Sequence, residues 1–293
     1  MALNTKRETV KVHKSSMFVE FLQRLVKSWS AKIGLFLMLF IILACLIGPY
    51  FTGYELNWQD QSLMRAGPSA EHILGCDTLG RDMLTRLLYG GRYSLMMGIL
   101  SAVLGAILGI AVGLVAGYFG GLTETIIMRF MDVWSSLPGM LLCILVSAAM
   151  GNGFMATVIA LTIGSIPGGA RMTRGQVLSE RSREYIEAAE SINCSKLSIM
   201  FKHLLPNVIQ PSIVITTMSV GSTINMAASL SYIGLGIQPP SPEWGAMLAD
   251  GKGYILTDPH LIAVPGIAIA LTVLAINLLG DGLRDAFDPK LKK

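Results

Sequence analysis

The sequence predicts an all-α integral membrane protein of about six transmembrane helices, with its N- and C-termini in the cytoplasm. Three observations carry this expectation. The 293-residue chain is 52% hydrophobic and only 14% charged, with a mean hydropathy of +0.57. A soluble domain carries roughly 25% charged residues, so lipid must solvate most of this surface. The apolar residues gather into uncharged runs long enough to cross a bilayer, and Lys and Arg are divided unevenly between the segments that join those runs.

The first run, Ile33–Tyr50, has 18 uncharged residues and no small-residue cleavage site. It reads as a retained helix. Residues 1–32 then form a basic cytoplasmic segment, and residues 33–293 form the membrane domain. Tyr93–Thr123 is a second run of 31 residues, enough for a tilted span. The third, Val133–Ala170, has 38 residues and is interrupted at Gly151, Asn152 and Gly153, which predicts a helical hairpin. A fifth span is expected near Ser212–Ile233 and a sixth at Leu261–Gly280.

Six spans place both termini on one side. That side holds 18 Lys and Arg residues, and the other holds only Arg65, Arg81, Arg86, Arg92 and Lys252. The excess of positive charge assigns the termini to the cytoplasm. Before the first span, Phe18, Phe21, Leu22, Leu25 and Trp29 recur at helical spacing opposite Arg24 and Lys27. This suits an amphipathic helix on the anionic inner leaflet, and equally a plain cytoplasmic extension of the span.

Gly105, Gly109, Gly113, Gly117 and Gly121 repeat every four residues in the second span. One face without side chains lets another helix approach backbone to backbone. The four cysteines show neither a disulfide framework nor metal-ligand spacing, and no metal site is expected.

Missing motifs narrow the function. There is no G-x-x-x-x-G-K-[ST], so the chain has no P-loop and is not itself an ATPase. Neither H-E-x-x-H nor G-x-S-x-G occurs, which leaves hydrolase readings without a metal or a nucleophile. The spans hold almost no ionisable residue, whereas ion-coupled carriers usually place one at depth. The fifth span is the most polar and includes Thr216, Ser222, Thr223 and Asn225. These residues either bond back to their own helix or line a path for a polar solute.

The largest cytoplasmic loop reads REYIEAAESINCSKLSIMFKHLLPNV, Arg183 to Val208. Glu184–Ile192 contains good helix formers, Asn193 suits the left-handed turn that ends a helix, and Ser195 suits the cap of the next. Pro206 is expected to stop or kink the chain at the membrane surface.

This loop resembles the coupling-loop signature of ATP-binding-cassette import permeases. Glu187, Ala188 and Ala189 stand for its Glu-Ala-Ala, Asn193 replaces its Gly, and Leu205-Pro206 complete it. The exchange is mild, because Asn is the next most tolerant residue of positive φ. HILGCDTLGRDMLTRLLYGGRYSL (His72–Leu95), LSYIGLGIQPPSPEWGAML (Leu230–Leu248) and NLLGDGLRDAFDPKL (Asn277–Leu291) extend the resemblance to the second permease subunit of the dipeptide, oligopeptide and nickel family.

The resemblance implies a permease domain that translocates peptides or a related small solute across a bacterial or archaeal cytoplasmic (inner) membrane. The implied partners are a homologous permease in a heterodimer, two cytoplasmic ATPase subunits, an extracytoplasmic solute-binding protein and the bilayer, with no nucleic acid. This chain would be no enzyme and carry no cofactor, ATP and Mg being held by the ATPases. The competing reading is an ion-coupled secondary carrier or channel acting alone. Three local expectations complete the picture. Asp77 and Thr78 would cap a helix and Arg81 and Asp82 would pair with each other, unless this segment contacts the solute-binding protein; Trp244 would anchor an external loop at the interface, unless that loop is a lid over the translocation path.

Overall fold

The computed structural model describes residues 28–287. The expected N-terminal amphipathic helix lies outside them except for Trp29. Among the described residues, five helices are long and apolar enough to span a bilayer, or six spans if one bent helix pair counts as one.

Helix α1 (Trp29–Ile47) is the first of these. Lys32 lies near its start, its ammonium 4.8 Å from the Trp29 ring centroid, where a long side chain keeps its charge near the headgroups. Helix α2 (Met83–Phe119) has 37 residues, or ~55 Å of rise. It begins well before the uncharged run because the arginines of its first turns are paired. Arg86 contacts Asp77 at 3.2 Å. Arg92 donates to the carbonyls of Cys45 and Leu46 at 2.8 Å each, closing the C-terminal end of α1.

The third span is broken. Helices α3 (Gly121–Trp134) and α4 (Gly139–Met150) meet at 82° across Ser135–Pro138. The expected hairpin does turn at Gly151–Gly153, where Gly151 and Gly153 have φ of +87° and +138°. Its first limb, however, has only 12 residues, about 18 Å, which cannot span the hydrocarbon core alone. Helix α5 (Phe154–Arg181) continues past the last uncharged residue. Its arginines find acids on α3, Arg174 with Glu124 and Arg171 with Asp132.

After α6 (Glu184–Ser191), a turn at Lys196–Ser198 and a π-helical segment at Ile199–Leu204 run directly into α7 (Leu205–Tyr232). Pro206 therefore does not stop the chain. It occupies the second position of α7, where a missing N–H is tolerated. Helices α8 (Trp244–Gly251) and α9 (His260–Phe287) complete the chain.

Helix α2 forms the centre, packed against α5 and α7, while α9 lies between α1 and α7. The glycine ladder is the α2–α5 seam. A Cβ on Gly109 would sit 3.0 Å from the Gly169 Cα, and one on Gly113 would sit 2.5 Å from the Ala170 carbonyl oxygen. Gly105 faces Ser165, and Gly117 faces Val177. Gly121 departs from the expected ladder, since α2 ends at Phe119 and Gly121, at φ +55°, opens α3 with no atom near its face.

The external cap corrects the three local expectations. Asp77 caps no helix; its carboxylate accepts from Arg81 Nε at 2.6 Å and from the backbone N–H groups of Leu79 and Arg81. Asp82 pairs with His72 instead of Arg81, and it is the N-cap of α2, accepting from the Thr85 N–H and hydroxyl at 2.7 Å. Trp244 is no interfacial anchor. It is 2% exposed, and its indole N–H donates to the Leu87 carbonyl at 2.9 Å. Glu243, also buried, caps α8 through the Ala246 N–H and accepts from the Ser94 hydroxyl. Each of these buried charges has a partner, which is what its desolvation requires.

Candidate functional site

Two surfaces hold the residues singled out in the sequence. The first is the cytoplasmic loop. Ile186 and Ala189 of α6 are buried against Leu114 and Tyr118 of α2, Val177 of α5 and Leu204 of the π-helical segment. The helix ends in a Schellman motif. The N–H of Asn193 donates to Glu190 O at 2.9 Å, that of Cys194 donates to Ala189 O at 3.0 Å, and Asn193 holds φ +59°. The Ser195 hydroxyl accepts from the Ser198 N–H at 3.3 Å and caps the next turn.

The hairpin also rests on the end of α2. The Arg181 guanidinium lies 5.7 Å from the Tyr118 ring, and the Lys196 ammonium 5.8 Å from the Phe119 ring. Glu187 and Ala188 face outward, Ile192 is 77% exposed and Leu197 is 66% exposed. One face of the loop is thus fixed to two spans, while the other presents a carboxylate beside apolar side chains. Asn193 lies at the turn; Leu205 is half-buried and Pro206 exposed at the start of α7.

The second surface is an open groove of about 850 Å³ between α7 and α9, reached by Met140 of α4. Asn225, Ser229, Tyr232 and Asn277 supply its polar groups, and Ile269, Val273 and Leu274 its apolar wall. No charged side chain lines it. Of the four polar candidates in the fifth span, only Asn225 lies here. Thr216 lines a separate cavity of about 230 Å³ beside Gly105, Gly169 and Ser165. Ser222 and Thr223 line neither cavity, and their hydroxyls donate to the Ser219 carbonyl at 2.8 Å. Asn277 is a residue that sequence reasoning missed. A carboxamide alone in an apolar span was the available signal, because such a group needs polar company.

Groups outside the spans are tuned by burial. The Cys76 thiol is pushed up to about 11 by burial, reinforced by the charges of Asp82 and Asp77. The Asp250 carboxyl is raised by burial, against the pull of Arg81 and Arg86. The Tyr185 hydroxyl is raised by burial and then by its hydrogen bond to Glu180.

Comparison with known proteins places this architecture. Residues 109–293 match the family described as the inner membrane component of binding-protein-dependent transport systems. Residues 16–68 match the N-terminal transmembrane domain of oligopeptide transport permease C. The chain is 46% identical to the glutathione transport system permease protein GsiD of Pectobacterium atrosepticum, across 93% of this chain and 91% of that protein. It is 42% identical to the protein of the same name from Escherichia coli O157:H7, across 93% and 90%.

A solved structure of the MetNI methionine ABC transporter, in an inward-facing conformation, shares the fold. The TM-score is 0.58 at 21% identity, covering 70% of this chain and 98% of that one. The chain belongs to the family of inner membrane components of binding-protein-dependent transport systems, as a permease subunit of an ATP-binding-cassette importer in the peptide and nickel class.

Proposed function

We propose that this subunit imports glutathione or a short peptide of similar size across the inner membrane of a bacterium. In this reading it pairs with a homologous permease, two cytoplasmic ATPases and an external solute-binding protein. The observation that carries it is the loop at Arg183–Val208, buried on the side facing α2 and α5 and presenting Glu187, Ala188 and Ile192 on the other. ATP hydrolysis belongs to the partners, with Mg and ATP bound there. Their closure pushes α6, and α5 and α7 carry that movement into the bilayer. The groove holding Asn225 and Asn277 is one wall of the translocation path, and the second permease supplies the other. Its neutral hydrogen-bonding groups suit a solute with several charges, because a fixed charge would hold such a solute too firmly to release it.

The test is expression with neighbouring genes for two ATPases, a second permease and a binding protein, followed by reconstitution into proteoliposomes. ATP-dependent uptake of labelled glutathione supports the proposal. Uptake without the ATPases that collapses with an ionophore would overturn it. Energised uptake of other solutes but not glutathione would correct the substrate alone.

A further inference from the structure

We propose that Tyr185 and Asn207 form a latch that carries motion from the coupling helix to two spans at once; this rests on the coupling reading of the loop. The Tyr185 hydroxyl, on α6, donates to Glu180 Oε2 near the end of α5 at 2.8 Å. The same oxygen accepts from Asn207 Nδ2, on the first turn of α7, at 3.0 Å. Asn207 Nδ2 also donates to the carbonyl of His203, inside the π-helical segment, at 2.8 Å. One phenol and one carboxamide therefore bond α5, α6, the π-helical segment and α7 into a single chain. Glu180 is held from its other side by Arg183 at 2.9 Å, which orients the carboxylate toward the latch.

The surrounding chain explains why a latch is needed. Alpha-helical hydrogen bonding is interrupted between α6 and α7: the register shifts to a π-helical turn at Ile199–Leu204, where the Leu205 N–H donates to Met200 O. Pro206 then brings no N–H of its own. Such a stretch yields under load more readily than a regular helix. A push on α6 would be absorbed there unless a second route bridged it. Asn207 is placed for that route, because its side chain bonds His203 near the end of the π-helical segment and reaches Tyr185 of α6 directly. Tyr185 and Asn207 are positioning residues, acting through α6 and the spans without touching the solute.

The experiment uses the assembled importer in nanodiscs, with Cys194→Ser to remove the half-buried thiol and Ser222→Cys on α7 as a reporter. Maleimide labelling of that cysteine is compared without nucleotide and after trapping with ATP and vanadate. In Tyr185→Phe, which keeps the ring, and in Asn207→Asp, which keeps the size, the nucleotide-driven change in labelling is expected to fall roughly fivefold or more, the scale of the two hydrogen bonds that each variant removes. Subunit assembly and ATP hydrolysis stay at the parental level, a separation that a purely structural role would not produce.

Glu187→Lys, run in parallel, isolates the underlying reading. If it retains the full nucleotide-driven change, the coupling assignment falls and the latch with it. If it loses the change while Tyr185→Phe and Asn207→Asp behave as the parent, the latch alone is overturned. Loss of assembly in both latch variants would also overturn it, in favour of a structural role.

Discussion

Asn193 stands at φ +59°, held there by the two backbone hydrogen bonds that close α6. A residue with a Cβ is strained in that region, and asparagine less so than the rest. Asn193→Gly is therefore expected to preserve or slightly raise the thermal stability of the solubilised subunit, whereas Asn193→Val should lower stability by about 1–2 kcal/mol. Thermal unfolding with a thiol-reactive dye reads both, and equal midpoints for the two variants would contradict the account. At the same scale, Asp77, Asp82 and Trp244 show the limit of single-residue reasoning. Their types signalled capping, pairing and anchoring, but the partners were others: Asp77 took Arg81 and the Leu79 N–H, Asp82 capped α2 and paired with His72, and Trp244 found Leu87 on a distant helix.

The α2–α5 seam belongs to the scale of elements. It depends on the absence of side chains at Gly105, Gly109, Gly113 and Gly117, which lets α5 approach the α2 backbone. Gly113→Val places atoms where the Ala170 carbonyl and Thr173 already lie, and no flexible side chain can move aside for the carbonyl. The expected loss is about 2–4 kcal/mol, by analogy with overpacking in a tight core, visible as reduced recovery of folded subunit in detergent. Gly121→Ala meets no neighbouring atom, so any loss there comes only from its positive φ and stays at about 1 kcal/mol. Recovery of Gly113→Val at parental yield would show that the seam does not stabilise the fold.

For the whole molecule, the proposed function has force entering on one surface and solute passing on another. The cytoplasmic loop and the groove of Asn225 and Asn277 are joined by α7, which runs from the π-helical segment to Tyr232. Glu187 is exposed and lies in no buried cluster, so Glu187→Lys is expected to leave membrane insertion intact while reducing energised uptake at least tenfold. Whole-cell uptake together with a membrane-fraction blot checks this, and normal uptake would sink the coupling role. Removing the charge alone, in Glu187→Gln, should give an intermediate defect, because the hydrogen-bonding shape survives.

Much of this architecture is legible in the amino-acid sequence. Uncharged runs locate the spans, the glycine spacing marks the seam, and the Glu187–Pro206 pattern identifies the loop, all features that depend on local composition and period. The exceptions share one cause. Helix α2 begins earlier than its uncharged run because Arg86 forms an ion pair with Asp77 and Arg92 bonds the end of α1. The third span breaks at Ser135–Pro138, and its arginine-rich neighbour α5 is extended by acids on α3. Asn225 meets Asn277 in one groove while Thr216 faces another. The sequence by itself determined the all-helical membrane class and the family; only the tertiary structure decided which charges and hydroxyls are paired, because a buried polar group is satisfied by whatever the fold brings beside it, at any distance along the chain.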